Sequence, residues 1–210
     1  MANFTRNGYG QVEPNQLSAQ KTGQIYASLK LDDEVKVLQN GEFMYYDYAN
    51  GTVNAGKTAG DDTVATKGEP MLVFNEIKLY EPFWRTSYKD FAMIREGENY
   101  VTSGLATERY DDGAETESIL PNPAHTEYPY RMDGFAPRLF KTNIGDIYTT
   151  NMVATGVEYK VGDLLTPTKN NTTKTLVLQK TSAPVGMQWQ VVKVYTMPDG
   201  QPGLKLQRVQ

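Results

Sequence analysis

Apolar and polar residues alternate near the C-terminal end of the chain, with Trp189, Val191 and Tyr195 at alternate positions. A period of two is typical of a half-buried β-strand. The following PDGQPG segment is rich in residues that favour a turn, and beyond it Leu204 and Leu206 fall on one face of a return strand. The pattern predicts a β-hairpin that must pack on other strands, because one hairpin cannot bury itself.

A second hairpin is predicted from Glu34 onward, in EVKVLQNGEFMYYDY. Two apolar-rich runs flank Asn40-Gly41 there, and Asn-Gly is the strongest short hairpin signal. The run MLVFNEIKLY predicts a largely buried strand, FAMI favours a strand over a helix, and residues 99–110 are another strand candidate. Residues 114–134 are interpreted as a long loop or linker.

Short apolar runs recur at regular intervals from Phe135 onward, separated by Gly145-Asp146, Gly162-Asp163 and Asn170-Asn171. This rhythm predicts a small antiparallel β-barrel or sandwich. The segments IGDIYT and VGDLLT share one pattern, which we interpret as a recurring turn type.

Residues 1–31 carry single apolar side chains on a polar background, too sparse to form a core face. They predict an extended arm that is either a frayed terminus or a segment ordered by a partner. Removing residues 1–20 is then expected to leave the stability of the folded part nearly unchanged. The expected contacts of the arm are Phe4, Arg6, Tyr9, Val12 and Leu17.

The predicted fold class is therefore mainly β, with three parts. Residues 1–31 form the arm, residues 32–134 a central β-rich region with long loops, and residues 135–210 a C-terminal β-barrel module. The composition agrees, since 18 Gly, 11 Pro and 14 Tyr suit short strands joined by turns.

Composition also excludes several classes of function. The 210 residues include no Cys, which removes disulfides, thiol catalysis and thiolate metal sites. The net charge of -4 without clustered Lys or Arg argues against a nucleic-acid partner. No apolar run approaches the roughly 18 residues that span a bilayer, and the N-terminus has no secretory pattern, so no membrane association is expected.

The segment GTVNAGKT at residues 51–58 matches the phosphate-binding loop letter by letter. That loop requires a following helix, whereas AGDDTVATKGEP comes next, and Asn75 stands where a magnesium-binding acid is wanted. His125, Asp61-Asp62 and the acidic run at 111–117 are interpreted as surface and turn residues. We therefore expect no catalytic residues, no metal and no cofactor.

Clustered aromatic residues in YYDY, YEPFW and YPY cannot all face inward, so some rings are expected at the surface. Exposed tyrosines suit a protein interface and a sugar-binding platform equally. Within the second cluster, the candidate contacts are Tyr80, Phe83 and Trp84.

The segments FAPRLFKTNIGDIYTTN, EYKVGDLLTP and WQVVKVYTMPDGQPGLKLQRV resemble the small β-barrel domains of tailed-bacteriophage head auxiliary proteins, the capsid decoration or cement proteins. The resemblance covers mainly residues 135–210. It implies a virion protein made in the host cytoplasm, placed on the outer capsid surface, and bound to the major capsid protein and to neighbouring copies of itself as a homo-oligomer. Two alternatives stay open: a glycan-binding tail or baseplate protein, and a nucleotide hydrolase that uses Lys57.

Overall fold

The computed structural model describes residues 3–6, 10–56, 68–75, 92–96, 99–103, 136–182, 186–197 and 200–210, which form fifteen strands and one short helix. The helix, α1, spans Ser18–Thr22. The strands are β1 (Val12–Gln16), β2 (Ile25–Tyr26), β3 (Lys30–Leu31), β4 (Val37–Gln39), β5 (Phe43–Asp47), β6 (Thr52–Asn54), β7 (Met71–Val73), β8 (Ala92–Glu96), β9 (Asn99–Ser103), β10 (Leu139–Phe140), β11 (Ile147–Thr150), β12 (Leu164–Asn170), β13 (Thr175–Lys180), β14 (Trp189–Thr196) and β15 (Pro202–Arg208).

Most of these strands join one curled, antiparallel sheet that forms a half-barrel, so the prediction of a mainly β fold is confirmed. Its main path runs β1-β11-β15-β14-β12-β13-β5-β7-β10-β2, and β6 pairs with both β5 and β3. A separate three-stranded sheet has the order β4-β8-β9. Strands from all three predicted parts of the chain thus share the large sheet.

The C-terminal hairpin is confirmed, because β14 and β15 pair antiparallel along their length with a β-bulge near Val191. Trp189, Leu204 and Leu206 are fully buried. The Trp189 ring meets the edge of the Tyr148 ring at 4.8 Å between centroids and lies 5.9 Å from the Phe43 ring. This aromatic group joins β5, β11 and β14 in one core.

The hairpin predicted around Asn40-Gly41 is wrong. Gly41 does form a turn, with φ +91°, but the strands on its two sides enter different sheets. Strand β4 pairs with β8, whereas β5 pairs with β6, β7 and β13. The turn is therefore a corner between sheets rather than the end of a hairpin.

The N-terminal segment also requires a correction, because its described residues pack into this chain instead of forming a free arm. Strand β1 adds to the edge of β11, and the side chains of Phe4, Val12 and Leu17 are buried. The Phe4 ring contacts the Tyr159 ring edge-on at 5.7 Å. Isolated apolar residues need no core face of their own when strands far along the chain supply the other side of the contact.

The strands predicted in the middle of the chain are present where residues are described. Strand β7 lies in MLVFNEIKLY and has two buried residues, Leu72 and Val73. Strand β8 begins at Ala92 and contains the last three residues of the predicted FAMI segment, and β9 lies within 99–110. The predicted loop at 114–134 lies outside the described residues.

Candidate partner-binding surface

Three turns of the same geometry organise the described part of the protein: turn 1 at residues 39–42, turn 2 at 143–146 and turn 3 at 160–163. In each, the carboxylate of the fourth residue accepts a hydrogen bond from the backbone N–H of the first, at 2.8, 2.9 and 2.8 Å respectively. The third residue is a glycine with φ of +91°, +95° and +95°. The recurring turn type expected at IGDIYT and VGDLLT is therefore confirmed, and a further copy precedes β5.

Each turn docks on a neighbouring strand through the same pair of backbone hydrogen bonds. The glycine N–H donates to the carbonyl of Val73 in turn 1, of Arg208 in turn 2 and of Val191 in turn 3, at 2.9, 2.8 and 2.8 Å. The N–H of that same strand residue donates back to the carbonyl of the fourth turn residue, at 2.8, 2.9 and 2.9 Å. Both sides of every turn are thus held, so the side chain at its second position starts from a fixed backbone.

The side chain at that second position distinguishes turn 1 from the other two. Asn40 of turn 1 is buried, and its amide exchanges two hydrogen bonds with the backbone of Asn75. Ile144 of turn 2 and Val161 of turn 3 are instead 71% and 68% exposed. Two turns held by backbone hydrogen bonds therefore keep aliphatic side chains in solvent, where a partner could contact them.

Turns 2 and 3 flank the C-terminal hairpin. Strand β11 follows turn 2 and pairs with β15, whereas β12 follows turn 3 and pairs with β14. The residues after the two turns, Ile147 and Leu164, pair with Gln207 and Gln190, and these two glutamines pair with each other. Around that central pair the two halves have the same register, which gives the hairpin a local pseudo-two-fold arrangement.

Arg208 holds the residue that directly precedes turn 2. Its buried guanidinium donates to the backbone carbonyl and the hydroxyl of Thr142, and it forms an ion pair with the Glu69 carboxylate at 2.7 Å. Ser18 binds the other side of the turn, with its N–H and hydroxyl donating to the Asp146 carboxylate at 3.0 and 2.9 Å. These contacts fix turn 2 against both the N-terminal segment and β15.

Glu42, the fourth residue of turn 1, is the one such acid that lies wholly inside the protein. Its carboxylate accepts hydrogen bonds from the Gln39 N–H and the Thr175 hydroxyl, each at 2.8 Å. Burial raises the pKa of Glu42 to about 7, because these donors and the positive charge of Arg6 offset only part of the desolvation. This carboxyl thus changes charge near neutral pH.

Four of the eight predicted contact residues lie in the described ranges, and none of these four belongs to turns 2 or 3. Phe4, Val12 and Leu17 lie in the core, so they are not available to a partner. The Arg6 guanidinium contacts the sulfur of Met152, and burial lowers the pKa of Arg6. The other predicted contacts, Tyr9, Tyr80, Phe83 and Trp84, lie outside the described residues.

Sequence reasoning missed Ile144 and Val161, although a signal was present. Both recurring segments place an aliphatic residue directly before the Gly-Asp pair, at a position that a tight turn exposes. An apolar residue repeated at an exposed turn position predicts a contact.

The first six of the eight residues of the GTVNAGKT segment are described, and three of them form a strand instead of a phosphate-binding loop. Thr52–Asn54 forms β6, which pairs with β5 on one edge and β3 on the other. The remainder, with Lys57, lies outside the described residues. Within the described ranges, no group of three or more His, Cys, Asp or Glu side chains is arranged to hold a metal ion, and no helix has the length and apolar character to cross a membrane.

Comparisons with protein-family models, with curated proteins and with solved structures found no match to this chain.

Proposed function

We propose that this chain is a structural virion protein of a tailed bacteriophage, a capsid decoration or cement protein that binds the assembled head shell and stabilises it. Its partners would be the major capsid protein and neighbouring copies of itself on the outer capsid surface. The observation that carries the proposal is the pair of exposed aliphatic side chains, Ile144 and Val161, on two rigid turns. Both lie in the module whose sequence resembles the head auxiliary proteins.

A lattice partner suits such a surface for two physical reasons. The turns are already ordered, so little conformational entropy is lost when they bind. Two small aliphatic contacts give modest affinity alone, but copies that also touch one another on a repeating shell gain effective concentration. Weak single contacts therefore suffice for stable coverage of a head.

Co-sedimentation with heads assembled from the major capsid protein of the same phage tests the proposal. The wild-type chain is expected to pellet with heads at a saturating ratio. The double variant Ile144→Asp, Val161→Asp places two charges at the contact and is expected to bind at least tenfold more weakly.

Thr172→Asp supplies the matched control, since Thr172 is exposed on the turn at the opposite end of β12 from turn 3. It adds one negative charge, as each single substitution of the double variant does, but away from the surface, and it should bind as wild type does. Failure of the wild-type chain to pellet with heads would refute the proposed function. Equal binding by the double variant would place the contact elsewhere on the molecule.

A further inference from the structure

A cleft of about 410 Å³ lies beside turn 2, on the far side of Thr142. Its volume falls in the range of small-ligand sites, about 300–1,000 Å³. Strands β2, β5 and β7 and the residues before turn 2 contribute its walls. Its lining includes the side chains of Tyr26, Tyr46, Tyr48, Glu69, Lys141 and Thr142.

Three tyrosine rings form one continuous wall of this cleft, which we call the tyrosine cleft. The centroids of Tyr26 and Tyr46 are 5.3 Å apart, and those of Tyr46 and Tyr48 are 5.0 Å apart. The Tyr46 hydroxyl is held by the N–H and the hydroxyl of Ser28, at 2.9 and 2.7 Å. Tyr48, at the end of the row, is 71% exposed. The Tyr46 ring is thus held in place, and most of the Tyr48 side chain is accessible to a ligand.

A second part of the cleft lining, which we call the rim, is polar and consists of Glu69, Lys141 and Thr142. Arg208 orients the Glu69 carboxylate through its ion pair and also holds the carbonyl and hydroxyl of Thr142. The charges of Arg208 and Glu69 cancel in their ion pair. The Lys141 ammonium therefore gives the rim a net positive charge. The same cleft is therefore lined by hydrogen-bonding groups and by an aromatic wall.

This combination discriminates between classes of ligand. A quaternary ammonium needs rings spaced around a hole, whereas these rings touch one another, and Lys141 would repel it. A purely apolar ligand would leave the polar rim desolvated without partners. A pyranose ring fits both sides, since its C–H face packs on the negative face of a tyrosine ring and its edge hydroxyls bind polar groups.

We infer that the tyrosine cleft is a saccharide-binding site, in which a sugar ring stacks on Tyr48 and its hydroxyls reach Glu69 and Lys141. The inference is independent of the proposed capsid attachment, because it rests on side chains outside turns 2 and 3. On a protein that sits at a particle surface, such a site would hold glycans of a cell or of another surface.

Saturation-transfer NMR on the full chain tests this inference with three probes: maltotriose, triacetylchitotriose and a galacturonic acid trimer. At least one probe is expected to receive saturation at its ring C–H protons. Tyr48→Ala should weaken that binding at least tenfold, whereas Tyr48→Phe keeps the aromatic face and should bind within about threefold of wild type. If the bound probe is the acidic trimer, Lys141→Ala should weaken it as well.

Val194→Ala is the control, because Val194 is exposed and lies outside both the cleft and turns 2 and 3. This variant should bind the probe as wild type does. Absence of transfer to all three probes at millimolar concentration would overturn the inference, and so would transfer that persists in Tyr48→Ala. Co-sedimentation of Tyr48→Ala with heads separates the two proposals, since capsid binding should be unchanged in this variant.

Discussion

At the scale of single residues, Glu42 is a fully buried carboxyl whose charge state affects stability. It occupies the position that Asp146 and Asp163 hold in the other turns, but its longer side chain reaches into the core. There it links turn 1 to β13 through the Thr175 hydroxyl. A group that is both buried and ionisable makes folding sensitive to pH.

Glu42→Gln is expected to remove a pH dependence near neutrality. Because the pKa of Glu42 is about 7 in the folded chain against 4.5 for the free side chain, the folded state retains a proton that the unfolded state releases. The free energy of unfolding therefore falls as the pH rises from about 4.5 to about 7. The difference corresponds to about 3 kcal/mol.

Urea unfolding at pH 5 and pH 8 measures this effect, with exposed Glu34→Gln as the control. The wild-type chain and the control should lose stability between these two values relative to Glu42→Gln. An identical pH dependence in all three proteins would mean that Glu42 is not desolvated.

At the scale of elements, the glycines of the three turns are expected to differ in the stability that an alanine substitution costs. Gly145 and Gly162 have positive φ but open space around an added Cβ, whereas a Cβ on Gly41 would lie 2.6 Å from the Cβ of Met152. Alanine at either open position is expected to cost roughly 1–2 kcal/mol from backbone strain alone. Alanine at Gly41 adds overpacking of about 1–3 kcal/mol. Chemical denaturation of the three variants should give this order, and equal losses would contradict it.

The N-terminal segment is expected to contribute to the stability of the whole sheet. Leu17 is buried where the chain passes from β1 to α1, so Leu17→Ala should cost about 2–5 kcal/mol. Lys21→Ala, on the exposed side of α1, is the control and should change stability by less than about 0.5 kcal/mol. A melting temperature unchanged by Leu17→Ala would restore the idea of a separate arm.

Local signals in the sequence predicted some elements well and failed for others. The β14–β15 hairpin was predictable because alternation and turn residues lie close together along the chain. Asn40-Gly41 misled because a turn signal does not specify whether its two strands pair with each other. Leu17 misled because β1, which directly precedes it, pairs with β11 more than a hundred residues further along, and no local pattern records that pairing.

At the scale of the whole molecule, pairing between distant strands joins twelve of the described strands into one sheet. Strand β13 pairs with β5, and β10 pairs with both β7 and β2. The repeated turns start three strands of this sheet and place Ile144 and Val161 beside its C-terminal hairpin. The exposed surface is therefore supported by a shared core and not by a separate module.

Electron cryo-microscopy of heads prepared with and without this protein tests the central claim most directly. The account predicts added density at symmetric positions on the outer shell, into which the sheet fits with turns 2 and 3 against the major capsid protein. Heads that show no added density, or particles that carry the protein only on the tail, would contradict it.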